Sequence, residues 1–149
     1  MDYTKIFHDE TSFSREYLQN RMEMYGFKNM SRRELCLWDL ELFLQIQKRL
    51  GEHIVLKGGA ATQFYLPIEA QRTSVDIDMI FCGTDEQVQN SLNDITKELG
   101  ESTEFFLFKE HIPKNPKTNL PMHTYYVEVP SVLSYKERNA EESAVDKQE

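Results

Sequence analysis

The segment VDIDMIF, residues 75–81, restricts the fold more than any other stretch of the chain. Its valine, isoleucines, methionine and phenylalanine suit a half-buried strand, yet it plants Asp76 and Asp78 one residue apart. Aspartate is depleted in strands and is almost never buried without a partner. The period of two sends both carboxylates to one face, with Cα atoms roughly 6.6 Å apart, and Val75, Ile77 and Met79 to the other. One face must therefore pack on a core while the other stays solvated, paired or bound to a cation. Carboxylates this close repel each other. A hard divalent ion such as Mg²⁺ relieves that repulsion, because it takes oxygen ligands, commonly one or two carboxylates plus substrate phosphates. Alone, the pattern equally describes a solvated sheet face, so the neighbouring sequence has to decide.

That neighbouring sequence is HIVLKGGAATQFYLP. Residues 53–57 read as a short strand, Gly58 and Gly59 as a tight turn, and residues 59–66 as two helical turns that Pro67 ends. Glycine lets backbone approach a ligand closely, and the N-H groups that follow suit a phosphate. Lys57 and Arg72 flank these elements and can neutralise a triphosphate, Arg72 by a bidentate contact, although each taken singly also fits an ordinary surface charge. Ser74, between Arg72 and Asp76, can orient the loop. Glu128, in the strand expected over 123–129, shares a face with Tyr126; if that strand lies beside the one carrying Asp76, Glu128 completes a three-carboxylate cluster. The expected site is therefore Asp76, Asp78 and Glu128 for metal and catalysis, with Lys57, Gly58, Gly59, Arg72 and Ser74 for the nucleotide.

Around this centre the periodicity predicts a helix from Ser12 or Ser14 to Gly26 and a second opened by a Ser31/Glu34 capping box. The second helix has Leu35, Trp38, Leu42, Ile46 and Leu50 on one face and stops at Gly51. A third, capped by Thr84, carries Val88, Leu92, Ile95 and Leu99. Strands over 104–110 and 123–129 should pair antiparallel across a long proline-containing connection. The fold class is α/β (α+β): a small mixed sheet with helices packed against it. A helical segment 1–30, a main domain 31–135 and an acidic, flexible tail 136–149 are expected.

With 25 acidic against 17 basic residues the formal charge is −8, which disfavours indiscriminate adhesion to nucleic acid or anionic membrane. The local basic residues Lys109, His111, Lys114 and Lys117 run across the proline-containing hairpin, where no aromatic residue is interleaved for base stacking. Cys36 and Cys82 lack metal-ligand spacing and read as small core residues of a reduced protein. No apolar run approaches the ~18 residues of a membrane span, and a cytoplasmic location is expected.

Gly-Gly, a short helix, a loop and then Arg-x-Ser-x-Asp-hydrophobic-Asp resembles motif I of the DNA polymerase β-like nucleotidyltransferase superfamily. LKGGAATQFY followed by RTSVDIDMIF is most similar to the AbiEii/AbiGii-type toxin family. The resemblance covers residues 31–82 well and 104–130 loosely. It implies an NTP and Mg²⁺ bound at Gly58, Gly59, Asp76 and Asp78, transfer of a nucleoside monophosphate to an acceptor hydroxyl, a separate antitoxin protein, and tRNA as one possible acceptor. Members usually continue into a helical C-terminal region with further lysine and aspartate motifs, which the residues after Val129 do not supply. A truncated or minimal member is therefore expected, with a catalytically incomplete nucleotide- or partner-binding module as the alternative.

Overall fold

The computed structural model describes residues 2–100, 105–112, 114 and 122–133. Two helices come first, α1 (Arg15–Tyr25) and α2 (Met30–Leu50). The Ser14 side chain caps α1 by accepting from the Tyr17 amide, and Gly26, at φ 72°, ends it in the left-handed conformation. The cap of α2 is Asn29, whose side chain accepts from the Arg32 amide at 2.8 Å. The expected capping box at Ser31 does not form. Ser31 lies inside the helix and is buried, and the Glu34 carboxylate accepts from the Val132 amide at 3.2 Å.

After α2 come β1 (Ile54–Lys57), α3 (Gly58–Gln63), β2 (Asp78–Phe81), α4 (Asp85–Ile95), β3 (Leu107–Glu110) and β4 (Tyr125–Glu128). Thr84 and Gln87 close a capping box on α4, and a π turn, Thr96–Gly100, continues it. β1 pairs antiparallel with β2 in the register Ile54↔Phe81 to Lys57↔Asp78, and β3 pairs antiparallel with β4, Leu107↔Glu128 to Glu110↔Tyr125. The fold is thus α+β, but the single mixed sheet is corrected to two separate two-stranded antiparallel sheets among the described residues.

β2 is also shorter than the alternating pattern suggests. Beyond Lys57 the first strand turns into α3, so Asp76 and Ile77 have no ladder partner, and the chain over 71–77 is not part of a strand. Within the paired part the pleat sorts the residues as expected: Ile54 is buried, Leu56, Met79 and Phe81 are half-buried, and Val55, Lys57, Asp78 and Ile80 are exposed.

The core is centred on Trp38. The Phe13 ring stacks on it at 3.9 Å between centroids, and Phe105 and Phe106 contact it at 5.4 and 5.9 Å. Leu18, Leu42, Ile46, Leu92, Ile95 and Leu99 complete it, so both ends of the described chain pack around α2. The N-terminal segment is further held by Glu41, wholly buried on α2. Its carboxylate accepts from the amides of Phe7 and His8 at 2.9 and 3.0 Å, and from the Gln45 amide nitrogen at 2.8 Å. Among the described residues no helix is long and apolar enough to cross a membrane. Lys117 and the tail 136–149 lie outside the described residues.

Candidate active site

The turn between β1 and α3 places the two glycines against the segment 72–78. Gly58 has φ 72°, a conformation that L side chains rarely adopt, and a Cβ built on it would stand 2.6 Å from Asp78 Oδ2. The Asp78 carboxylate therefore lies directly over the Gly58 backbone, on the side where a side chain would otherwise sit. Gly59 faces the loop: its Cβ would meet Ser74 Oγ at 3.5 Å and an Arg72 guanidinium nitrogen at 3.9 Å. Gln63 holds the two pieces together, its amide nitrogen donating to the Gly59 carbonyl at 2.9 Å while its oxygen accepts from the Arg72 amide at 2.8 Å. The Ser74 hydroxyl donates to the Asp76 carbonyl at 3.2 Å, shaping the approach to the strand. Lys57 is the register partner of Asp78, so the two share the exposed face of the sheet.

Neither Asp76 nor Asp78 takes part in an ion pair or a side-chain hydrogen bond among the described residues, and both are exposed. Their charges are left to solvent or to a ligand. Beneath them runs α2. The half-buried Asp39 has an Oδ2 atom with no hydrogen-bond partner, and burial together with the nearby Asp76 charge pushes its carboxyl up to about 8. One turn earlier, burial raises the Cys36 thiol, partly opposed by a hydrogen bond with the Ser74 backbone. Asp39 is the site neighbour that sequence reasoning missed. The available signal was its position beside the Trp38/Leu42 stripe of an amphipathic helix, where an acid is poorly placed for solvent.

Six of the eight expected residues, Lys57, Gly58, Gly59, Arg72, Ser74 and Asp78, thus meet around one turn, with Asp76 adjoining them two residues before Asp78. Glu128 is not brought to them by strand pairing. It sits on the exposed face of β4, as its alternation implies, but β4 pairs with β3 and Glu128 stands opposite Leu107. Among the described residues no three His, Cys, Asp or Glu side chains are grouped to hold a metal ion. Asp76 and Asp78 are the exposed carboxylates beside the turn, and their oxygen donors are of the chemical type that Mg²⁺ takes, an ion that commonly uses one or two protein carboxylates and fills its other positions with water and phosphate oxygens.

A family model described as nucleotidyl transferase AbiEii toxin, type IV toxin-antitoxin system, matches residues 42–145. No curated protein and no solved structure matches the chain.

Proposed function

The chain belongs to the AbiEii nucleotidyl transferase toxin family of type IV toxin-antitoxin systems, and from that premise we propose that it is itself a Mg²⁺-dependent nucleotidyltransferase. The observation that carries the reading is the Asp78 carboxylate held over the Gly58 turn with no ion pair of its own. An NTP phosphate chain would lie along the backbone of exposed Gly58 and half-buried Gly59, with Lys57 and Arg72 offsetting its charge, Gln63 fixing the Arg72 backbone and Ser74 that of Asp76. Asp76 and Asp78 hold the ion that accompanies the triphosphate. When bound, that ion supplies charge neutralisation for the phosphates and lowers the pKa of an oxygen nucleophile. In the overall change the oxygen of an acceptor hydroxyl bonds to the α-phosphorus as its proton passes to solvent, the bond from that phosphorus to the α–β bridging oxygen breaks, and pyrophosphate leaves. The acceptor is the hydroxyl of a tRNA, a protein or a small molecule, and an antitoxin protein is the partner that restrains the activity.

Incubation with radiolabelled NTPs, Mg²⁺ and pools of each acceptor class tests this. Label should move to one class, and Asp76→Ala and EDTA should each abolish the transfer; label that persists in the variant refutes the proposal. The position of Glu128 on a separate sheet favours a second reading, a binding module of the same fold that holds NTP without turnover. Calorimetry showing NTP affinity with no product would establish it, and multiple turnover would dismiss it.

A further inference from the structure

The elbow joining α1 to α2 carries a ladder of aromatic and guanidinium groups. On α1, Tyr17, Arg21 and Tyr25 recur at four-residue intervals and share one face. The Arg21 guanidinium lies 5.1 Å from the Tyr17 ring centre and 5.4 Å from that of Tyr25, and it donates to both hydroxyls at 3.0 Å. Tyr25 neighbours Phe27 at 6.3 Å between centroids, and the Arg33 guanidinium lies 4.6 Å from the Phe27 ring. All five side chains are half-buried, whereas Lys28 and Arg32 of the same elbow are exposed. The Arg33 charge reaches the Cys36 thiol, which itself hydrogen-bonds with the Ser74 backbone, so the ladder ends beside the segment carrying Arg72 and Ser74.

Charge sets this surface apart. Residues 17–33 hold four basic residues and one acid, Glu23, in a chain where acids outnumber bases 25 to 17. Arg21, Lys28, Arg32 and Arg33 make no ion pair among the described residues, and Glu23 accepts instead from Gln19 at 3.3 Å. The dipole of α2 disfavours cations at this end, and its first turn carries no acid to offset them. Uncompensated cations alone would suit any anion, but the rings narrow the class. A nucleobase stacks on an aromatic face or on a guanidinium plane, whereas the carboxylates of an acidic peptide use only the charges. Because the ladder is continuous, successive bases of an unpaired strand meet one platform after another while its phosphates meet the cations. We propose that the α1–α2 elbow is a binding surface for single-stranded nucleic acid, with Tyr25 and Phe27 as stacking platforms and Arg21, Lys28, Arg32 and Arg33 as phosphate contacts. The assignment concerns binding alone and stands whether or not the chain transfers nucleotides.

Fluorescence anisotropy of the full chain with a labelled single strand of about 12 nucleotides tests it, in EDTA and without NTP so that transfer plays no part. Near about 50 mM salt the Kd should lie between about 1 and 100 μM, and log affinity should fall against log salt with a slope of about −3, roughly 0.7 for each of the four phosphate contacts. Lys28→Gln/Arg32→Gln should reduce that slope by about 1.4, whereas Lys109→Gln/Lys114→Gln, outside the elbow, should leave it unchanged. Tyr25→Leu and Phe27→Leu, each checked for native circular dichroism, should weaken binding about fivefold or more at an unchanged slope, and Tyr25→Phe, which keeps the ring, should retain it. A duplex of the same length and poly-glutamate should bind more weakly than the single strand. No anisotropy change, a slope unmoved in Lys28→Gln/Arg32→Gln, full affinity in both leucine variants, or equal affinity for the duplex or for poly-glutamate would each overturn the assignment.

Discussion

Replacing Gly58 by alanine attacks the turn at its most constrained atom. At φ 72° an alanine pays roughly 1–2 kcal/mol for the left-handed backbone. Its Cβ would also press to 2.6 Å from Asp78 Oδ2, with Asp78 Cβ and Cγ at 3.3 and 3.4 Å, so the carboxylate must swing away, at about 0.5–1.5 kcal/mol if it leaves its rotamer well. Restricting the unfolded chain returns ~0.4–1 kcal/mol. The net expectation is a loss of about 1–2 kcal/mol. Gly59→Ala is the internal control: its φ is not left-handed and its nearest neighbour, Ser74 Oγ at 3.5 Å, is at ordinary contact distance. That variant should be neutral or gain up to about 1 kcal/mol from improved helix propensity. Urea denaturation of both variants measures the gap, and adding Asp78→Ala to Gly58→Ala should recover the contact component while leaving the backbone strain. Equal midpoints for Gly58→Ala and Gly59→Ala, with unchanged m-values, would refute the account of the turn.

Two further outcomes are expected. The Asp39 carboxyl, pushed up to about 8, binds a proton more tightly folded than unfolded, so this group's contribution to stability declines as pH rises from near 4 and levels off above about 8. Asp39→Asn removes that slope and should gain roughly 1–3 kcal/mol over the native chain in alkaline buffer, after allowing for relaxation around a partly buried group. Urea midpoints taken across that range check it, and parallel profiles would contradict it. At Glu41 burial pushes the carboxyl up, but the hydrogen bonds from His8, Phe7 and Gln45 outweigh it and hold the pKa below the ordinary value. Glu41→Ala strands those donors and should cost about 3 kcal/mol or more, seen as a lower midpoint and faster proteolysis before residue 15.

The sequence was most legible where one local rule acted alone. Ser14, Gly26, Gly51 and Thr84 mark helix ends in the structure as their chemistry implies, and the Asp78 carboxylate faces the diglycine turn. Legibility failed where a distant partner decided the outcome. The alternation of VDIDMIF says nothing about how long its neighbour is, so the four-residue β1 cut the ladder at Asp78. Asn29 displaced Ser31 as the cap of α2, and Glu34 was taken by the Val132 amide instead of closing the box. Glu128 was read correctly as to face, but which strand it would lie beside depended on sheet order, which a single sequence does not encode locally. Asp39 was hidden for the same reason: only the packing of the 74–76 segment over α2 makes it part of the site.

That packing makes α2 a shared wall between foundation and workshop. Trp38, the hub of the aromatic core, and Asp39, lying near Asp76, are adjacent residues turned about 100° apart on one rigid rod. A repacking change that rolls or slides the rod to fill space around the indole carries the acid with it. Attempts to engineer a hardier core here will therefore retune the charge beneath Asp76 as well, and variants selected only for heat tolerance should be screened for a shifted pH dependence of stability before they are accepted.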